Sequence, residues 1–225
     1  MSSAAVPDFI VGASGRSTDD YPEFLSDALR LVQQMFLIPA GPRAVVFAGI
    51  EHKSGCTSIC CAVAGVIAQQ TLRPVCLMEA NWKSPSLAEK FGIQDAAGLS
   101  EAIQKQGSVE PFLKQVAGGD LWVLPAGAKS SDSVLNASLV GQRIAELRKA
   151  FDFVIIDAAP LGQSSDAFAL CQYIDGVVLV LEAAKTRTES AKVVESNLKA
   201  AGIPILGAVL NKRTFPIPEL IYKRL

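Results

Sequence analysis

The stretch Ala44-Val45-Val46-Phe47-Ala48-Gly49 runs into Ile50-Glu51-His52-Lys53-Ser54-Gly55-Cys56-Thr57-Ser58, and then into Ile59-Cys60-Cys61-Ala62-Val63-Ala64-Gly65-Val66-Ile67-Ala68. The first six residues are apolar and β-prone, and the last ten form an apolar run of helical length. Between them lies a glycine followed by hydroxyl residues at a strand-to-helix junction. This is the context of a phosphate-binding loop of the Walker A kind, in which backbone N–H groups and a helix N-terminus face an anion. The pattern calls for Gly-Lys-[Ser/Thr], but here it reads Gly55-Cys56-Thr57. A cysteine stands where a lysine would neutralise the β- and γ-phosphates.

Working outward, four more buried strands are predicted. Val75-Cys76-Leu77-Met78-Glu79-Ala80-Asn81 ends in polar residues, and Phe153-Val154-Ile155-Ile156-Asp157 ends in an aspartate of Walker B type. Residues 177–181 and 205–210 complete the set, the last running into Asn211. Strands are expected at 43–48, 74–79 and 121–125. Helices are expected at 22–37, 56–70, 86–91, 99–104, 132–150, 166–173 and 188–201, with a last one from about 217. Strands alternating with helices imply an α/β fold: a doubly wound, mainly parallel sheet with helices on both faces, like that of P-loop NTPases. Ligands in such sheets sit beyond the carboxyl ends of the strands, where Gly55, Glu79, Asp157 and Asn211 all fall.

Half of the 225 residues are hydrophobic and 19% are charged, which suits a buried parallel sheet. The chain divides into a flexible lead-in over 1–20 and a single α/β domain over 21–225. A formal net charge of −1 gives no general nucleic-acid or membrane-surface signature. No apolar run reaches the length of a membrane span, and the first 20 residues lack the pattern of a secretion signal. Five cysteines without a regular framework suggest reduced thiols and a cytoplasmic location.

Taken in order, these motifs resemble the bacterial tyrosine kinases of capsule and exopolysaccharide synthesis, a branch of the MinD/ParA-like P-loop proteins. The resemblance covers residues 22–211. It aligns the family's Pro-Gly-Glu-Gly-Lys-Ser-Thr with His52-Lys53-Ser54-Gly55-Cys56-Thr57-Ser58. It places two family aspartates on Glu79 and Asn81, and a family arginine on Lys83. Pro85, Asp157, Pro160, Asp166, Thr186, Arg187 and Asn211 match. The resemblance implies an ATP-dependent protein-tyrosine kinase ancestry with an eroded catalytic centre.

It also implies roles. Lys53, Ser54, Gly55, Cys56, Thr57, Ser58 and Asn211 would hold ATP or ADP, with binding weakened by the missing lysine. Thr57 and Asp157 would hold Mg²⁺, and Glu79 and Asp157 would carry catalysis. Glu79 could still serve as a base, while Asn81 takes no proton at neutral pH; the plain alternative is that both are polar residues closing a strand. Lys53, three residues before Cys56, is either a cation that swings back over the phosphates or an exposed loop residue. Cys60 and Cys61 read as small packing residues on a buried helix, and the chain's single histidine, with no Cys-x-x-Cys, speaks against a metal. Cys56, at a helix N-terminus, is a candidate for a lowered thiol pKa and hence for reactivity.

In ring-forming family members the first helix carries Glu-x-x-Arg-x-x-Arg. Here Asp27 and Arg30 remain and Gln33 does not, so a monomer or small oligomer is expected. The chain end has one tyrosine, Tyr222, rather than a tyrosine cluster. The functional expectation is a regulatory or partner component of exopolysaccharide or capsule synthesis and export, reaching the membrane only through the cytoplasmic part of a membrane co-polymerase or export protein. The alternatives are an active tyrosine autokinase, a MinD/ParA-type positioning ATPase, and a partner module that never sees nucleotide. The positioning ATPases carry a signature lysine five residues before the loop lysine, which falls here on Glu51.

Overall fold

The computed structural model describes residues 21–94, 96–105, 107–116, 119–128 and 137–213. Seven helices are described: α1 Tyr21–Met35, α2 Cys56–Thr71, α3 Leu87–Lys90, α4 Leu99–Gln104, α5 Ala137–Ala150, α6 Ser165–Leu170 and α7 Thr188–Ala200. The strands are β1 Ala44–Gly49, β2 Val75–Ala80, β3 Lys114–Val116, β4 Leu121–Leu124, β5 Phe153–Ala158, β6 Gly176–Glu182 and β7 Ile205–Asn211. They form one sheet in the order β3-β4-β2-β5-β1-β6-β7. All neighbours are parallel except β3 and β4.

The period of two along each strand sorts the core into two layers. Val45 and Phe47 face α1 and α2, whereas Ala44, Val46 and Ala48 face the layer that holds α4, α5, α6 and α7. In α2 every residue from Ile59 to Ala68 is buried. A helix apolar on all sides needs cover on its outer face. Phe24, Ala28, Val32 and Phe36, spaced four apart along and just after α1, provide it. The other end of β1 is pinned by Asp175, which accepts from the N–H of Arg43 at 2.7 Å and of Ala44 at 2.9 Å, and pairs with Arg148 at 2.8 Å.

The expected alternation of strands and helices is present, with ends displaced by a residue or two. Two elements escaped the pattern: a 3-10 turn at Glu110–Phe112 and the three-residue antiparallel edge strand β3. Both are too short to show a period. The helix expected over 166–173 is α6 followed by a 3-10 turn at Cys171–Tyr173. The lead-in over 1–20, the first turn of the helix from 132 and the last helix with Tyr222 lie outside the described residues. Among the described residues, no helix is long and apolar enough to cross a membrane.

Candidate functional site

The chain leaves β1 at its carboxyl end, between β5 and β6, and loops into α2. Gly55 caps α2 with φ 85°, a conformation that costs an L residue dearly. A Cβ there would also lie 2.2 Å from Asn211 Nδ2. That amide donates to the Ser54 carbonyl at 2.8 Å, so the end of β7 clamps the loop. From the other side, Leu161 N–H donates to the Gly49 carbonyl at 2.9 Å and holds the segment after β5 against it. The result is a cavity of about 670 Å³, lined by every residue from Lys53 to Ser58 and by Asn81, Pro160 and Lys212.

The predicted loop residues line one cavity together, whereas Asn211, Glu79 and Asp157 do not line it. Asn211 does not line this cavity; its amide braces the loop from behind. Glu79, proposed as a base, is 0% exposed and also lies away from the cavity. Its Oε1 accepts from the N–H of Ser86 at 2.5 Å and of Leu87 at 3.0 Å, and its Oε2 from that of Ala126 at 3.2 Å. Burial pushes the Glu79 carboxyl up, against the pull of these three donors. With both oxygens occupied, Glu79 ties β2 to the start of α3 and to the loop after β4. In this arrangement the side chain is held as an anchor by three backbone N–H groups, the strand-closing alternative of the sequence reading.

Asp157 is 1% exposed and pairs in register with Phe47 on β1 and Glu79 on β2. Burial pushes its carboxyl up to about 7, opposed by a hydrogen bond from Thr57 and reinforced by the charge of Glu79. Its Oδ1 accepts from Cys60 Sγ at 3.9 Å, and its Oδ2 has no partner. The reading of Cys56 as an activated thiol is corrected. A hydrogen bond with Cys60 draws its pKa down, but burial and the Asp157 carboxylate outweigh it and leave it at about 11. Burial and the neighbouring acid therefore keep the thiol protonated although it stands at a helix N-terminus.

One residue that sequence reasoning passed over is Lys212. Its Nζ donates to the Lys53 carbonyl and pairs with Glu182 Oε1 at 3.4 Å, and the side chain lines the cavity. Lys53 is exposed, with φ 65°. The signal was an Asn-Lys step at the carboxyl end of the last strand, on the ligand edge of the sheet.

The arrangement fits a nucleotide's phosphates. The glycine-capped helix start supplies N–H donors, and Thr57, Ser58 and Lys212 surround the space. Thr57 and the unpartnered Asp157 oxygen fit the cation that accompanies phosphate, although the atoms beside Asp157 are sulfurs rather than an ammonium.

No protein-family model matches the chain. Among curated proteins it is 29% identical over 151 residues to the tyrosine-protein kinase YwqD of Bacillus subtilis, covering 66% of the chain and 63% of that protein. It is 27% identical over 208 residues to the succinoglycan biosynthesis transport protein ExoP of Rhizobium meliloti, covering 90% of the chain and 26% of that protein. Among solved structures, the kinase domain of VpsO is 25% identical, with a TM-score of 0.76, covering 88% of the chain and 100% of that domain. The homologues are bacterial capsule and exopolysaccharide tyrosine kinases. The kinase domain is the matched region, and the chain aligns with less than two thirds of these curated relatives' own length. The doubly wound P-loop fold read from the sequence is the fold observed.

Proposed function

We propose that this kinase-like chain is a cytoplasmic regulatory or partner component of exopolysaccharide or capsule synthesis and export, with an impaired nucleotide site. The observation that carries the reading is Cys56, whose neutral thiol stands against Asp157 where the relatives' motif places a lysine. A phosphate loop without that charge keeps its N–H donors and helix N-terminus. Hydrogen bonds to charged groups contribute about 1.5–3 kcal/mol each, so nucleotide binding falls by roughly 10- to 100-fold. Phosphoryl transfer suffers more, because the moving charge must be stabilised in the transition state. When bound, Mg²⁺ held by Thr57 and Asp157 would neutralise phosphate charge. The loop N–H groups, Ser58 and Lys212 orient the phosphates, and Glu79 only holds the strand end.

The names of the relatives, including a polysaccharide transport protein, support a membrane co-polymerase or export protein as partner, engaged through its cytoplasmic part. Gln33, which stands where ring-forming relatives carry an arginine, supports a monomer or small oligomer. Calorimetric titration with ATP and ADP, with and without Mg²⁺, tests the reading alongside an autophosphorylation assay. Weak binding with little or no transfer is expected. Robust autophosphorylation, abolished by Asp157→Asn, would overturn it. The alternative, an active autokinase, draws on Lys212: its ammonium already sits at the loop, so Lys212→Ala would abolish such activity.

A further inference from the structure

We propose that Cys56, Cys60 and Asp157 form a binding site for a thiophilic divalent cation, Zn²⁺ being the natural case, set into the floor of the phosphate loop. Cys56 and Cys60 lie one turn apart on α2 and so project from the same face. Asp157 comes to them from β5, and one ligand atom from each of the three residues lies within 4.8 Å of the other two. Zinc with Zn–S near ~2.3 Å and Zn–O near ~2.1 Å draws such atoms to separations of about 3.5–3.8 Å.

A second, independent observation points to a ligand here. Asp157 is 1% exposed, and its Oδ2 has no hydrogen-bond partner. A buried carboxylate oxygen with nothing to accept from is costly, and a cation satisfies it. Asn81 adds a further buried acceptor without a partner, its Oδ1, on the wall of the same cavity. Of the three donors only Cys56 lines the cavity, so a water at a fourth tetrahedral position would enter on the Cys56 side. Asn81 Oδ1 would accept from that water.

The donor set selects the metal. Mg²⁺ takes oxygen ligands in an octahedron, whereas two sulfurs and one carboxylate suit a soft or borderline ion. Each coordinated thiol releases its proton to solvent, so two thiolates, one carboxylate and the dication sum to a net charge of −1. The ion therefore does not replace the missing lysine charge; it occupies Asp157, so it and a Mg²⁺ held by Thr57 and Asp157 exclude one another. This inference does not depend on nucleotide binding.

The test is titration of the full chain with Co²⁺ under a non-thiol reductant and without nucleotide, followed by displacement with Zn²⁺. One equivalent is expected to give thiolate-to-cobalt charge-transfer absorption and tetrahedral ligand-field bands, both lost on adding Zn²⁺. Cys56→Ala and Cys60→Ala should each weaken binding by roughly tenfold or more. Cys171→Ala should leave the spectrum unchanged, since that thiol bonds instead to the Ala167 carbonyl. If Cys60→Ala fails to fold, Cys56→Ala, at a half-buried position, decides alone. Absence of charge-transfer absorption in folded wild-type protein, or an unchanged spectrum in folded Cys56→Ala, would overturn the proposal.

Discussion

Asn211 donates its side-chain amide to the carbonyl of Ser54 at 2.8 Å, joining the end of β7 to a loop 157 residues earlier. The bond is possible because Gly55 leaves room for it: a Cβ at Gly55 would meet the amide at 2.2 Å. Gly55→Ala is therefore expected to cost about 1–3 kcal/mol, from the left-handed φ and the displaced hydrogen bond. Asn211→Ala removes the obstacle. The double variant should lose less than the sum of the singles in urea unfolding. Additive losses would mean that the two residues do not compete for the same space.

Glu79 gives the second prediction. Its carboxylate accepts three backbone N–H groups with no exposure to solvent. Glu79→Asp, one methylene shorter, cannot reach all of them. Leaving a buried N–H unpaired costs about 1–3 kcal/mol, so thermal unfolding should move down accordingly. A catalytic base would behave differently: stability would hold and only turnover would change.

Lys212 and Lys53 separate cleanly by substitution. Lys212 lines the cavity with its ammonium held at the loop, whereas Lys53 contributes its carbonyl to that contact. Lys212→Ala is expected to weaken ADP binding by about tenfold, the loss of one charge-assisted contact. Lys53→Ala should change it less than about twofold, since its carbonyl remains. Calorimetry at one ionic strength reads both. The reverse ranking would restore Lys53 as the substitute cation.

The fold was legible because β1, the loop and α2 carry their periods openly, and strong apolar runs mark β5, β6 and β7. The site was legible only where its parts are local. Lys53 to Ser58 is one continuous segment, and the structure keeps it together. The anchoring of Glu79 was not legible because its partners Ser86, Leu87 and Ala126 belong to other elements. A carboxylate at a strand end looks the same in sequence whether it faces a ligand or three N–H groups. The meeting of Cys60 with Asp157 spans 97 residues, and a helix N-terminus alone says nothing of a buried acid beside it.

Asp175 sets a pH dependence at the other end of β1. Burial pushes its carboxyl up, but the N–H donors of Ala44 and Arg43 and the Arg148 guanidinium outweigh this and hold it below its ordinary 3.8. A depressed carboxyl binds fewer protons in the folded state, so its contribution is complete above about pH 4 and is lost as pH falls through the folded value. Asp175 is about one-third exposed, so solvent screening keeps the contribution near ~1 kcal/mol. Asp175→Asn should be less stable than wild type at pH 7, with the gap closing toward pH 2. A gap independent of pH would assign the loss to packing.

Cys56→Lys is the sharpest test of the nucleotide site. The side chain lines the cavity and is half-buried, so a longer residue extends toward the ligand rather than into the core. The new ammonium would lie beside Asp157, whose carboxyl burial pushes up to about 7, and would favour its charged form. It would also add charge-assisted bonds to the phosphates. ATP affinity is expected to rise by about tenfold or more, and cobalt binding should weaken as in Cys56→Ala. A folded Cys56→Lys variant that binds ATP no better than wild type would show that the loop cannot hold phosphate. The defect would then lie in its backbone, and Gly55 and Asn211 would be the residues to revisit.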